Sequence, residues 1–221
     1  MSPRIGIIDS GVSQALLSHV ALSRCFDGRE GLAPAHVDQL GHGDQVARLI
    51  VSQCADAQLL VAQVFTSTLH APVTRIAEAI YWLVASGAQL INMSFGLPGV
   101  SSHLADACRY AVDRGVVLFA SAPSCGGNVV YPAALTECIS VTGDPRCAED
   151  EFAWLGLERA TFGACSLLVP GSPGQGGGAS FACARFTGIA GRLMGCHGGV
   201  QGRLSTLRAR AVYVGPEERR A

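Results

Sequence analysis

The chain alternates short apolar runs with longer stretches whose apolar residues recur every three or four positions. Arg4 to Asp9 (RIGIID), Gln58 to Phe65 (QLLVAQVF), Gln89 to Met93 (QLINM), Val116 to Ala120 (VVLFA) and Cys138 to Thr142 (CISVT) are runs of strand length. Between them, Asp44 to Gln53 sets Val46, Leu49 and Ile50 on one helical face. Val73 to Ser86 does the same with Ile76, Ala77, Ile80, Leu83 and Val84. Ser102 to Arg114 does so with Leu104, Ala105, Cys108, Ala111 and Val112. Gly87 and Gly115 stop the last two helices. Ser166 to Val169 reads as a further short strand, and Ser180 opens a last helix. In the tail, from about Arg203, RARAVYV reads as an edge strand ahead of a frayed end. Strands that are apolar throughout, rather than alternating, belong to a parallel sheet covered on both faces. The predicted class is α/β, a three-layer α/β/α arrangement with a mainly parallel central sheet. No repeat or linker divides the chain, so residues 1–221 read as one domain. Ligands of such sheets sit at the carboxyl ends of strands. Asp9, Ser94 and the residues after Ala120 fall there.

Composition narrows the function. Of the 221 residues, 49% are apolar and 15% charged, with a formal net charge of −1. That balance points to neither nucleic acid nor an anionic membrane surface as a partner. No apolar stretch is long enough to span a bilayer. MSPRIGIIDSGV lacks the apolar core of a signal peptide, so the expected location is cytoplasmic. The nine cysteines are odd in number, irregular in spacing and without a CxxC pair. They read as reduced thiols in the core, not as a disulfide framework or zinc ribbon.

Three short stretches carry chemistry. GGGASFACARFTGIAGRL, residues 176–193, leads a glycine loop into Ser180 at a helix start. Alone, that serine is a plain N-cap; with partners, it is a nucleophile beside free helix N–H groups. IIDSGV ends a strand in Asp9. Alone, this aspartate caps a turn, and it also suits a carboxylate that orients a histidine. A third reading is the phosphate loop of an actin-like ATPase, but the second phosphate loop and adenosine loop are not evident. LGHGDQVARLIV puts His42 between glycines at a helix start, with His36, Asp38 and Asp44 nearby. A metal site there lacks the i, i+4 histidine pair of a helical zinc motif.

Together, Asp9, His42 and Ser180, in that order, resemble the subtilisin-like serine proteases, the subtilase family (peptidase family S8), as a short intracellular-type member. IIDSG is similar to the family's Asp block. GHGDQVA is similar to its His block, with Asp44 and Gln45 in place of Thr-His. INMSFG, residues 91–96, resembles the strand that lines the substrate cleft. GGASFACA resembles the Gly-Thr-Ser-Met-Ala-x-Pro block, with Ala179 for Thr and Ala184 for Pro. VVYPAAL and its following strand match as well. The resemblance implies peptide-bond hydrolysis in which Ser180 attacks, His42 is the general base and Asp9 orients it. The backbone N–H of Ser180 would form half of the oxyanion hole.

One block departs from the family. Its members supply the second oxyanion donor from Ala-Ala-Gly-Asn, where this chain has LFASAPSCGGN. Ungapped counting puts Ser124 at the asparagine, and Asn128 is the other candidate. Loss of one such donor costs about 100- to 1,000-fold in rate, a magnitude that comes from subtilisin itself. Two readings therefore stand. One is an active endopeptidase specialised for processing, such as cleavage of a leader from a precursor peptide. The other is a weak or inactive pseudo-protease that binds peptides or serves as a scaffold subunit. By the resemblance, Leu69, His70 and Ala71 would pair with one side of an extended substrate, and Ser94, Phe95 and Gly96 with the other. Phe95, Ser121, Ala122 and Pro123 would wall a P1 pocket without an acidic residue, suited to a small or apolar side chain. The expected partners are a peptide or protein substrate and a regulatory protein. No cofactor is expected, and no acidic loop calls for structural calcium. Cys183, one turn after Ser180, reads as core. Arg109, Arg114 and Arg185 read as solvated faces.

Overall fold

The apolar runs become strands that are covered on both sides. The computed structural model describes residues 2–28, 33–123, 127–169, 171–194 and 200–217. In chain order the elements are β1 (Arg4–Asp9), β2 (Val20–Cys25), α1 (His42–Gln53), β3 (Gln58–Gln63), α2 (Val73–Ala85), β4 (Leu90–Met93), α3 (Ser102–Asp113) and β5 (Val117–Ser121). β6 (Cys138–Gly143), β7 (Phe152–Leu157), β8 (Ala160–Ala164), α4 (Ala179–Met194), α5 (Val200–Arg210) and β9 (Tyr213–Val214) follow. One nine-stranded sheet runs β2-β3-β1-β4-β5-β6-β8-β7-β9. It is parallel from β2 to β8, and the β7–β8 pair is antiparallel. Along β1, Ile5 and Ile7 pack on one face with α1 and α4, and Ile8 packs on the other with α2 and α3. All three isoleucines are fully buried. This is the expected three-layer α/β/α arrangement. Among the described residues, no helix is long and apolar enough to cross a membrane.

Two expectations are corrected. Ser166 to Val169 is not a strand. Only Leu167 makes an isolated bridge, to Gly177, because much of this segment's backbone bonds to a glycine loop and a buried arginine. The strand in this region is β8, the second arm of the β7–β8 hairpin, whose apolar pattern is broken by Gly156, Glu158 and Arg159. In the tail, RARAVYV is not one edge strand. Its first three residues end α5, where Leu207 is buried in the core and Arg208 lies over the Trp154 ring. Only Tyr213 and Val214 pair, with β7. The strand β2 went unpredicted because it is a half-exposed sheet edge with a mixed pattern. The chain's last four residues, expected to fray, lie outside the described ones.

The crossing of α1 and α4 sets the site, and it depends on a glycine. A Cβ on Gly188 of α4 would lie 2.5 Å from the Ile50 carbonyl oxygen and 2.8 Å from Gln53 Cβ of α1. Gly188→Ala should therefore lower the unfolding free energy by about 1–3 kcal/mol in urea melts, because both obstacles belong to a packed helix. Gly202→Ala on α5, where nothing among the described residues lies within 4 Å of the added carbon, should be neutral or stabilising by up to about 1 kcal/mol. Equal effects at the two positions would contradict this packing.

Candidate active site

β1 is where the order of connections reverses, with β3 on one side and β4 on the other, and clefts form at such positions. Asp9 ends β1 and is fully buried. Its Oδ1 lies 2.8 Å and its Oδ2 3.0 Å from Nδ1 of His42. The Ser10 N–H donates to the same Oδ1 at 2.8 Å. The Ser10 hydroxyl accepts the Gly43 N–H at 2.9 Å, joining the turn after β1 to the start of α1.

His42 is the first residue of α1. Gly41 before it has φ 77°, a left-handed conformation that favours glycine. Asp38 caps the helix from outside. Its Oδ1 accepts the N–H groups of Leu40 and Gly41 at 2.8 and 2.9 Å, and its Oδ2 accepts that of Asp44 at 2.9 Å. Asp44 in turn accepts the Ser13 N–H and Arg48 Nε. The two carboxylates near His42 thus serve as caps and braces. Gly43 permits the close approach: a Cβ there would lie 2.9 Å from Gly11 N and 3.0 Å from Ser10 N. Gln63, level with Asp9 on β3, donates to the Ser10 and His36 carbonyls and accepts the His36 N–H.

The side chain of His42 is 20% exposed. Burial alone pulls its pKa down. The Asp9 hydrogen bond, the Asp9 charge and the Asp38 charge outweigh burial, and the net shift is upward from 6.5.

Ser180 stands on the first turn of α4, behind the loop Gly176–Gly178. The N–H groups of Phe181 and Ala182 bond the Gly178 carbonyl. That of Ser180 precedes them, where no helical carbonyl reaches. Phe181 stacks on the His42 ring at 6.0 Å between centroids, so the two helix starts meet. The Ser180 hydroxyl donates to the Ser94 carbonyl at 2.9 Å, and the Ser94 hydroxyl donates to the Ser180 carbonyl at 2.9 Å. Asn92, fully buried on β4, donates to the Ser94 hydroxyl oxygen at 2.9 Å and accepts from Thr187 of α4 at 3.0 Å.

A cavity of about 490 Å³ opens beyond this strand. Ala122, Pro123, Asn128, Val130, Tyr131 and Ala133 are among its lining residues. The expected Phe95 and Ser121 are not; Phe95 packs edge-on against Phe65, and the Ser121 hydroxyl donates to the Phe95 carbonyl. Gly96 lies against Val130, and Leu97 and Tyr131 exchange two backbone hydrogen bonds. Glu158 and Arg159 from the β7–β8 turn also line the cavity. This corrects the expectation of a wall without an acidic residue, which took no account of a turn distant in sequence. Leu69 and His70 are exposed, and Ala71 is half-buried. Ser124 lies outside the described residues.

The family profile described as "Subtilase family", peptidase S8, matches residues 2–213. The chain belongs to the subtilase family. Subtilisin Savinase from Lederbergia lenta is 26% identical over 148 residues, 62% of this chain and 54% of that protein. The minor extracellular protease Epr from Bacillus subtilis (strain 168) is 28% identical over 152 residues, 63% of this chain and 23% of that one. The chain thus spans about half or less of the length of these relatives. Among solved structures, sphericase gives a TM-score of 0.76 at 21% identity, covering 96% of this chain and 85% of its own. A lanthipeptide protease gives 0.74 at 19% identity, covering 95% and 80%. At those identities the likeness is one of fold.

Several residues of this subtilase's site have roles that local sequence does not announce. Gln63 stands outside the quoted motifs, and Asp38, Asn92 and Thr187 stand within or beside them without an expected role, yet each makes polar contacts that hold a site element. Asn92 and Gln63 had one visible signal, a polar residue inside an apolar strand run. Arg185, expected on a solvated face, is 2% exposed. Cys183 is fully buried and its thiol is pushed up to about 12 by burial, so it packs the core and stays protonated.

The His42 environment fixes a pH dependence. Its imidazole should titrate above 6.5 by NMR. Asp9→Asn removes the hydrogen bond and charge but keeps the burial, and should move the midpoint down; Asp38→Asn should move it the same way by less. A raised folded-state value means that the charged pair's stabilisation is complete below about 6.5. It is lost as pH rises through the folded-state midpoint. An unmoved midpoint in Asp9→Asn would contradict this assignment.

Proposed function

We propose that this subtilase is a serine endopeptidase in which Ser180, His42 and Asp9 form a catalytic triad. One observation carries the reading: a fully buried carboxylate holds His42 Nδ1 from both oxygens, and His42 stacks on the residue next to Ser180. That bond fixes the tautomer with Nε2 available as base. Ser180 Oγ attacks the scissile carbonyl carbon as its proton passes to Nε2. His42 then protonates the leaving amine, and water repeats the cycle on the acyl-enzyme. Asp9 stabilises the imidazolium throughout. The Ser180 N–H faces the oxyanion. Asn128, on the cavity wall, and Ser124 are the candidate second donors.

We further propose a processing role on a precursor peptide in the cytoplasm, with restraint coming from specificity or a regulatory partner. The cavity beside the Ser94–Gly96 segment, walled by Ala122, Val130 and Ala133, fits a mid-sized apolar P1 side chain, with Glu158 and Arg159 reading the charge around it. The similarity in fold to a lanthipeptide protease agrees with a peptide-maturation substrate. A silent, peptide-binding pseudo-protease is the second reading. It is favoured by the Ser180 hydroxyl bonding to Ser94 O instead of His42 and by the serine, Ser124, that ungapped counting sets at the family's asparagine. A rotation about χ1 of Ser180 redirects that hydroxyl, and catalytic hydrogen bonds often form only in the substrate complex.

A fluorophosphonate probe separates the two readings by intact mass. The active reading expects one adduct on the wild type and none on Ser180→Ala. His42→Ala should label about 100- to 10,000-fold more slowly. The rate should rise with pH through a midpoint above 6.5, because only neutral His42 accepts the proton. A folded wild type that takes no label would favour the pseudo-protease. Indiscriminate digestion of casein would overturn the processing role.

A further inference from the structure

Arg185 lies on α4, five residues after Ser180, and is 2% exposed. A buried charge ordinarily meets a carboxylate. This one meets main-chain carbonyls of a single segment. Nη1 donates to Cys165 O at 3.1 Å and to Leu167 O, and Nη2 donates to Leu168 O at 3.2 Å. Nε has no hydrogen-bond partner among the described residues. The planar, weakly hydrated guanidinium suits this task, since its fork of donors gathers several carbonyls at a lower desolvation cost than an ammonium.

The gripped segment is the support of the serine loop. Gly178 N–H donates to Ser166 O at 2.9 Å, and Leu168 N–H donates to Gly176 O at 3.0 Å. Gly178 O in turn takes the N–H groups of Phe181 and Ala182, which start the helix around Ser180. The contacts close a ring: α4 to Arg185, Arg185 to residues 165–168, these to Gly176–Gly178, and the glycines back to the first turn of α4. We propose that Arg185 is a positioning residue, whose guanidinium pins the 165–168 backbone and thereby fixes the glycine loop that aims Ser180 and its N–H. The inference rests on the reading of Ser180 as nucleophile only for its effect on rate; the clamp itself is a statement about the loop.

The test uses Arg185→Met and Arg185→Lys in the full chain. Met keeps much of the length and removes both charge and donors. Lys keeps the charge but cannot span three carbonyls. Amide exchange should quicken in peptides covering 165–178 and stay unchanged in α2 and α3. Fluorophosphonate labelling should still reach one adduct per molecule, at a rate about 10- to 100-fold lower for Met and intermediate for Lys. A merely structural role would instead lower the fraction labelled and leave the rate per competent molecule unchanged. Wild-type exchange across 165–178, or a wild-type labelling rate, in either folded variant overturns the proposal. If Met does not fold, Lys decides by the same readouts. If the wild type takes no label, the serine-protease reading fails, and the exchange data still decide the clamp.

Discussion

The carboxyl edge of the sheet depends on how closely the start of α1 approaches the turn after β1. Asp9 can hold His42 at 2.8 Å only because Gly43 lets the helix lie against Ser10 and Gly11. The approach buries several polar groups, and each must find a partner, because an orphaned group costs about 1–3 kcal/mol. Ser10, Asp38 and Gln63 supply those partners. The histidine is held by a set of polar contacts that would fail together if the helix drew back. The same contact lifts the His42 pKa against the pull of burial.

The serine side is built by different means but bears on the same helix pair. α4 crosses α1 closely at Gly188. From that crossing it projects Ser180 and Phe181 at one end and Thr187 and Arg185 into the interior. Thr187 and Asn92 tie α4 to β4, and Ser94 ties β4 to Ser180. The strand that would pair with substrate is thus coupled to the nucleophile through three hydrogen bonds. Three of these side chains are more than nine-tenths buried, where the low local dielectric makes satisfied networks rigid.

How much of this was legible depended on the range of the interaction. The strands β1, β3, β4, β5 and β6 were readable because strands buried on both faces are apolar throughout, and α1, α2 and α3 because one face repeats. Asp9, His42 and Ser180 were readable because each sits in a local motif. Arg185 was not, since an arginine's burial depends on carbonyls 17 to 20 residues away in sequence. The tail misled for a related reason: its valines and tyrosine suggested a strand, while Leu207 folds back into the core and extends a helix. Glu158 and Arg159 reach the cavity only because the β7–β8 turn curls over it, which no local pattern reveals.

Whether Asp9, His42 and Ser180 act as one unit is decided by a crystal structure of the phosphonylated protein. A working triad places phosphorus on Ser180 Oγ and His42 Nε2 within hydrogen-bond distance of the adduct. His42 Nδ1 should remain on Asp9, and the phosphonyl oxygen should point at the Ser180 N–H. An adduct on another residue, or a His42 ring turned away from the adduct with Asp9 left unpaired, would contradict it.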